Sequence, residues 1–372
     1  MNYGVALGVH EMKMIKSAVL TALLTCTVFA QTSSHQQNNA DWNFAVSGDS
    51  RNCGDVVMPS IAAGATKNQA AFYWHLGDLR AIYGIDEDYQ HSPEHRGKTI
   101  DKNVYLKEAW DDFIQNQLGA FGSMQVFVGI GNHETTPPKR REEFATKFAK
   151  WLDAAPLKKQ RLADNPKDTA PTTYFHWIQG GVDFIYLDNA TLDQFLPEQV
   201  SWVEGVVERA SSNPEVHALV LGMHAALPDS VASGHSMSDW GVGIESGRRV
   251  YTDLVNFKKK THKNVYLLAS HSHFYMSGIF NSEYWAGNGG ELPGWIVGTA
   301  GAVRYALPPD APRAKDARTK VYGYLLGTVH PDGKIDFKFE EIKQADTPPA
   351  VSQRYTPEFV NFCFDKNTAF SR

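Results

Sequence analysis

The chain has 372 residues, 42% of them hydrophobic and 12% aromatic, with a formal net charge of -5 and a pI near 6.3. That is enough apolar material to bury a large core. The charge balance offers no basic field for nucleic acid and no strong acidic tail, so gross electrostatics name no partner.

The N-terminus departs from the rest. Lys13 and Lys16 precede an apolar run from Ala18 to Ala30, which gives way to polar Gln31-Thr32-Ser33-Ser34. This is the layout of a signal peptide over residues 1–30, with cleavage near Ala30 and a start as far in as Met12 or Met14. The run is too short to span a bilayer comfortably. A secreted or periplasmic protein follows, with no transmembrane segment once the leader is removed; a buried N-terminal helix is the alternative. Residues 31–40 read as a disordered mature N-terminus, 41–345 as one large domain and 346–372 as a C-terminal extension. Export leaves Cys53 and Cys363 in an oxidising compartment, where they either bridge or remain as two free thiols. Sequence cannot place their Cα atoms within bridging range.

Along the chain, short apolar runs alternate with longer amphipathic ones. The runs 43–47, 71–76, 125–129, 174–178, 183–187, 217–221 and 265–269 predict strands. Between them, 103–118, 139–153, 197–211 and 247–260 predict helices, with Pro197 suited to a first turn. Later strands are expected at 295–298, 321–329 and 335–341, the last two joined as a hairpin around Pro331-Asp332-Gly333. Segments 86–102, 157–171 and 228–245 read as polar insertions around a site. The order argues for a layered α/β domain.

Polar residues follow these strands in a repeated way. Asp49 follows Phe44-Ala45-Val46-Ser47-Gly48, Asp78 follows Tyr73-Trp74-His75-Leu76-Gly77, and Asn132-His133 follows a run ending in Gly131. His224 and His271-Ser272-His273 likewise follow apolar runs. In open α/β sheets ligands bind beyond the carboxyl ends of strands, so these residues can converge although far apart in sequence. Carboxylates, an amide oxygen and imidazoles suit Zn, Mn, Fe or Co.

The ordered set Gly48-Asp49, Gly77-Asp78, Gly131-Asn132-His133-Glu134, His224 and His271-Ser272-His273 resembles the calcineurin-like metallophosphoesterase family over about residues 42–280. The resemblance implies a four-layer αββα sandwich of two mixed β-sheets flanked by helices, with a two-metal site at one edge. It implies an enzyme that hydrolyses phosphomonoesters or phosphodiesters by metal-hydroxide attack on phosphorus, using one or two divalent ions. On the matching positions, Asp78 is the bridging carboxylate, Asn132, His224 and His271 complete one metal's shell, and Asp49 and His273 serve the other. His133 stands near the scissile oxygen, with Asn132 and His133 also meeting substrate. A catalytically silent binding protein that keeps the fold is the alternative.

The family's first motif is Asp-x-His, and here Asp49-Ser50 is followed by Arg51. A guanidinium cannot ligate and keeps its charge. About 5 Å from a divalent ion, at an effective dielectric near 20, it is repelled by roughly 7 kcal/mol. Arg51 therefore faces substrate as a fork for phosphate oxygens, replaces a metal's charge, or marks a degenerate site. Ala81 stands where purple acid phosphatases carry a tyrosine. Arg80 is expected in a surface or structural ion pair, Glu134 and Thr135 at the start of the next helix, and His75, His176, His217, His235 and His262 in structural or exposed roles. Trp240, Tyr275 and Trp285 are expected in core packing rather than as cleft walls.

Overall fold

A computed structural model describes residues 40–232 and 234–369. The expected leader and nearly all of the expected polar N-terminus lie outside these residues. Twelve strands form two sheets among the described residues. They are β1 (Trp42–Ser47), β2 (Ala70–His75), β3 (Gln125–Val128), β4 (Phe175–Gln179), β5 (Val182–Leu187), β6 (Ala218–Met223), β7 (Asn264–Ala269), β8 (Tyr275–Ser277), β9 (Gly294–Val297), β10 (Asp316–Arg318), β11 (Tyr322–Val329) and β12 (Ile335–Ile342).

The first sheet has the order β12-β11-β1-β2-β3 and the second β10-β8-β9-β7-β6-β5-β4. Both are mixed. β1, β2 and β3 are parallel, with β11 antiparallel to β1. β5, β6, β7 and β9 are parallel, with β4 and β8 antiparallel at either side. The expected hairpin is β11–β12, antiparallel from Tyr322 opposite Ile342 to Val329 opposite Ile335.

Aromatic side chains glue the sheets face to face. Phe44 and Phe72 of the first sheet meet Phe184 of the second edge-on, each with ring centroids 5.1 Å apart, and Trp74 meets Trp177 at 5.2 Å. Such edge-to-face pairs add stabilisation beyond the apolar area they bury. A second core lies under the outer face of the larger sheet, where Leu219, Leu221 and Leu267 pack with Val203 and Val206 of the helix Pro197–Ser212 and Leu254 of the helix Gly241–Thr261. The helix Gly54–Lys67 covers the smaller sheet through Val57, Met58 and Ile61. Helix, sheet, sheet, helix is the expected four-layer architecture.

Several elements differ from the sequence expectation. The helix begun at Lys102 ends at Asp112, widens into a π turn and then tightens into a 3-10 turn through Phe121, and the stretch 139–153 breaks at Phe148 into Arg141–Lys147 and Ala149–Leu152. The helix expected from Gly247 starts at Gly241. Gly54–Lys67 was not expected because Pro59 interrupts it and small residues blur its periodicity. The helix Ala155–Asp164 occupies much of a segment expected to be a polar insertion. At the C-terminus, Tyr355, Phe359 and Val360 join the buried cluster that includes Val57 and Met58 of the helix Gly54–Lys67, and Cys363 is disulfide-bonded to Cys53, with Cα atoms 5.8 Å apart. Among the described residues no helix is long and apolar enough to cross a membrane.

Candidate metal centre

Every ligand candidate sits where a strand gives way to a loop: Asp49 after β1, Asp78 after β2, Asn132 and His133 after β3, His224 after β6, and His271 and His273 after β7. The parallel pairing within each sheet brings these ends to one rim. The backbone there is unusual. Asp49, Asp78 and His271 hold φ of 59°, 60° and 66°, a left-handed conformation that is costly for a residue with a Cβ and concentrates at functional sites. Gly77, at φ 99°, lies so close to the next loop that a Cβ would meet Gly131 N at 2.5 Å.

His224 is the centre of one group. Its Nδ1–H donates to Leu76 O at 3.0 Å, which turns Nε2 toward Asn132 Oδ1 at 3.0 Å and Asp78 Oδ1 at 3.2 Å. A ring nitrogen facing two oxygens requires a cation between them, a proton or a metal. Burial opposes the charged ring, but Asp78 outweighs it and lifts His224 to about 9. Burial likewise pushes Asp78 up, yet His133, His224 and Arg51 hold it well below the usual carboxylate range. His271 completes the group, since donor atoms of Asp78, His224 and His271 lie within 4.8 Å of one another. Asp78 Oδ2 and His271 Nδ1 are buried atoms with no hydrogen-bond partner among the described residues. Unused atoms on a carboxylate and an imidazole, beside an amide oxygen and a second imidazole, fit a divalent ion.

The second group does not. Asp49 Oδ1 lies 3.1 Å from His273 Nε2, while Asp49 Oδ2 accepts from the Ser270 hydroxyl and from the His271 N–H at 2.7 Å. His273 Nδ1–H donates to Val303 O at 2.6 Å, leaving its Nε2 lone pair to accept from Arg51 Nη2 at 2.9 Å. Burial and the neighbouring Arg51 both hold His273 below its ordinary value, consistent with a neutral acceptor. Arg51 Nη1 donates to Tyr83 OH at 2.8 Å, and Nε lies 3.7 Å from Asp78 Oδ2. The guanidinium is 5% exposed; burial disfavours its charge, but Asp78 more than offsets this. A fixed cation thus stands among Asp49, His273 and Asp78, and these residues do not fit a second metal ion.

Among solved structures, the chain is similar to PhoD, with TM-score 0.50 and 16% identity over 82% of this chain and 72% of that one. It is also similar to purple acid phosphatase PPD1 from yellow lupin (Lupinus luteus) seeds, with TM-score 0.50 and 15% identity over 83% of this chain. The match covers 55% of the lupin protein, so this chain spans about half its length. The fold is that of the calcineurin-like metallophosphoesterases. No family model matches the sequence, and no curated protein does.

Within this metallophosphoesterase fold, other groups surround the two clusters. His133 Nδ1–H donates to Ala81 O at 2.5 Å, so Nε2 is the free position, 3.5 Å from Asp78 Oδ2. Burial lowers His133 to about 4, against the pull of Asp78. Glu134 does not start a helix proper: it lies in the 3-10 turn Asn132–Thr135, and its carboxylate accepts the N–H groups of Asp78, Leu79 and Gly131 at 2.9, 3.0 and 2.8 Å. Burial first, then Asp78, pushes its carboxyl up to about 8. Arg80 is a structural ion pair, fully buried, with Asp55 and Asp88 each at 2.7 Å and Asp112 beside them.

Aromatic and acidic residues at the mouth carried no sequence signal, because they arrive on loops. The Tyr83 ring lies 4.8 Å from His133 and is 60% exposed. Tyr305 stacks on His273 at 4.0 Å, and His235 stacks on Tyr305 and meets His271 edge-on at 5.1 Å. Asp193 is pushed up to about 6 by burial, with His224 opposing. Trp240 is exposed, whereas Tyr275 and Trp285 are buried.

Proposed function

We propose that this chain is an exported metal-dependent phosphoesterase that hydrolyses phosphomonoesters or phosphodiesters. The observation that carries the reading is the meeting of Asp78 Oδ1, Asn132 Oδ1 and His224 Nε2 beside His271, a donor set in which Asp78 Oδ2 and His271 Nδ1 are buried without a hydrogen-bond partner among the described residues. Asp78, Asn132, His224 and His271 would hold a divalent ion of Mn, Zn, Fe or Co type, which when bound would supply Lewis acidity for hydrolysis. Asn132 and Arg51 hold phosphate oxygens, the latter through N–H groups left over from its bonds to Tyr83 and His273. His133 presents Nε2 and takes up a proton when substrate negative charge arrives beside it, then passes that proton to the leaving oxygen. Export is supported by the leader-like pattern before Gln31 and by the Cys53–Cys363 disulfide.

The test is hydrolysis of p-nitrophenyl phosphate and its bis ester after addition of Mn, Zn, Co or Fe. His133→Ala is expected to lower kcat by about 100-fold to 10,000-fold. A preparation equally slow before and after that change would instead identify a binding protein on the same fold.

A further inference from the structure

The donor set around Arg51 differs from an ordinary metal position in one respect: its cation is covalently attached. His273 Nδ1 is committed to Val303 O, so Nε2 has a single lone pair, and Arg51 Nη2 takes it at 2.9 Å. A metal ion at this position would need that same lone pair. The guanidinium has little room to leave, being 5% exposed, bonded to Tyr83 OH at 2.8 Å on one side and facing Asp78 Oδ2 at 3.7 Å on another. Tyr305, stacked on His273 at 4.0 Å, closes a further side.

We propose that Arg51 is a built-in replacement for a second metal ion, so that the chain holds one divalent ion, at Asp78, Asn132, His224 and His271. The inference rests on the metal-dependent reading above. It makes the positive charge beside Asp49 permanent: chelators remove the ion at His224 but leave this charge in place, and no second metal is needed to balance Asp49 and Asp78. Arginine suits the position because its planar fork serves Tyr83 and His273 together, whereas a lysine offers one point charge.

The experiment is Mn(II) titration of the chelator-stripped protein, read by elemental analysis after dialysis and by electron paramagnetic resonance. The expected result is about one Mn per chain with the hyperfine pattern of an isolated ion. Arg51→His, which removes the charge and restores an imidazole, is expected to bind a second Mn and show a spin-coupled spectrum; Arg51→Ala serves as a second variant. Two coupled ions in the unaltered protein overturn the inference while leaving metal-dependent hydrolysis standing. One ion in the unaltered protein and in both folded variants also overturns it, because Arg51 would then not be what closes the position. No bound ion in any of them overturns this inference and the metal-dependent reading together.

Discussion

The Glu134 carboxylate accepts the backbone N–H of Asp78 at 2.9 Å, and with the same oxygen that of Gly131 at 2.8 Å. One buried side chain thereby ties the loop after β2 to the loop after β3, and so fixes Asp78 relative to Asn132. A glutamine in its place keeps one acceptor oxygen and turns an NH2 group toward an N–H donor. Glu134→Gln is therefore expected to cost about 1–3 kcal/mol of stability and to weaken metal binding about 10-fold to 100-fold, as loss of a supporting hydrogen bond does at other metal sites. Urea unfolding and metal titration measure the two effects. Unchanged metal affinity would mean that Asp78 is positioned by something else.

The role of Glu134 also shows where sequence reading stops. Asp49, Asp78, Asn132, His224, His271 and His273 were legible because each follows an apolar run, and parallel strands deliver such positions to one rim. Glu134 was not, because its partners are backbone N–H groups and those of Asp78 and Leu79 lie more than fifty positions away. Tyr83, Tyr305 and His235 reach the site on loops whose course no periodicity encodes. The substitution at Arg51 was visible, but its direction was not: only the packing of Tyr83, His273 and Asp78 turns it inward. The Cys53–Cys363 pairing stayed open for the same reason, since it depends on where residue 363 returns in space.

That disulfide closes a sequence separation of 310 residues and pins the loop that carries Arg51, whose carbonyl accepts the Cys53 N–H at 2.9 Å. In the chain-entropy model, a loop longer than a hundred residues is worth about 5 kcal/mol, a large share of the stability of an ordinary domain. Cys53→Ala with Cys363→Ala is expected to lower the urea midpoint markedly, and reduction of the unaltered protein to do the same. Ellman titration of the unreduced, denatured protein should find neither thiol free. Equal midpoints with and without reductant would remove the bridge from the account of stability.

His176 lies on the edge strand β4 of the second sheet and is held between two carboxylates, with Nδ1 2.8 Å from Asp183 and Nε2 2.5 Å from Asp164. Arg209 also reaches Asp164, at 2.8 Å. Burial disfavours the charged ring, but the two acceptors raise His176 to about 9 from 6.5. Because the folded value lies above the unfolded one, the stabilisation is complete below pH 6.5 and is lost as pH rises through about 9. Its size is at most about 3 kcal/mol, since burial at the same time pushes Asp183 up and offsets part of the gain. The difference in unfolding free energy between the unaltered protein and His176→Gln should shrink between pH 6.5 and pH 9.5. A difference that stays constant across that range would show that the ring is not charged.

Gly131 leaves no room for a side chain. A Cβ there would meet Asp78 Oδ1 at 2.3 Å, Asp78 N at 2.5 Å and His224 Cε1 at 2.9 Å. Relieving these contacts moves the Asp78 carboxylate and the His224 ring, and the contact with Asp78 N also strains the bond that holds this N–H to Glu134. Gly131 has φ -113°, which alanine adopts without strain, so the damage is steric and local. Gly131→Ala is accordingly expected to fold and to weaken metal binding at least about 10-fold, on the scale seen when ligand geometry is disturbed. Gly119→Ala is the control, because its Cβ would meet nothing nearer than Ile114 O at 3.6 Å. Metal titration of the two variants separates a packing requirement at the metal centre from a general cost of replacing glycine: equal losses in both would mean that the contact with Asp78 and His224 does not govern the site.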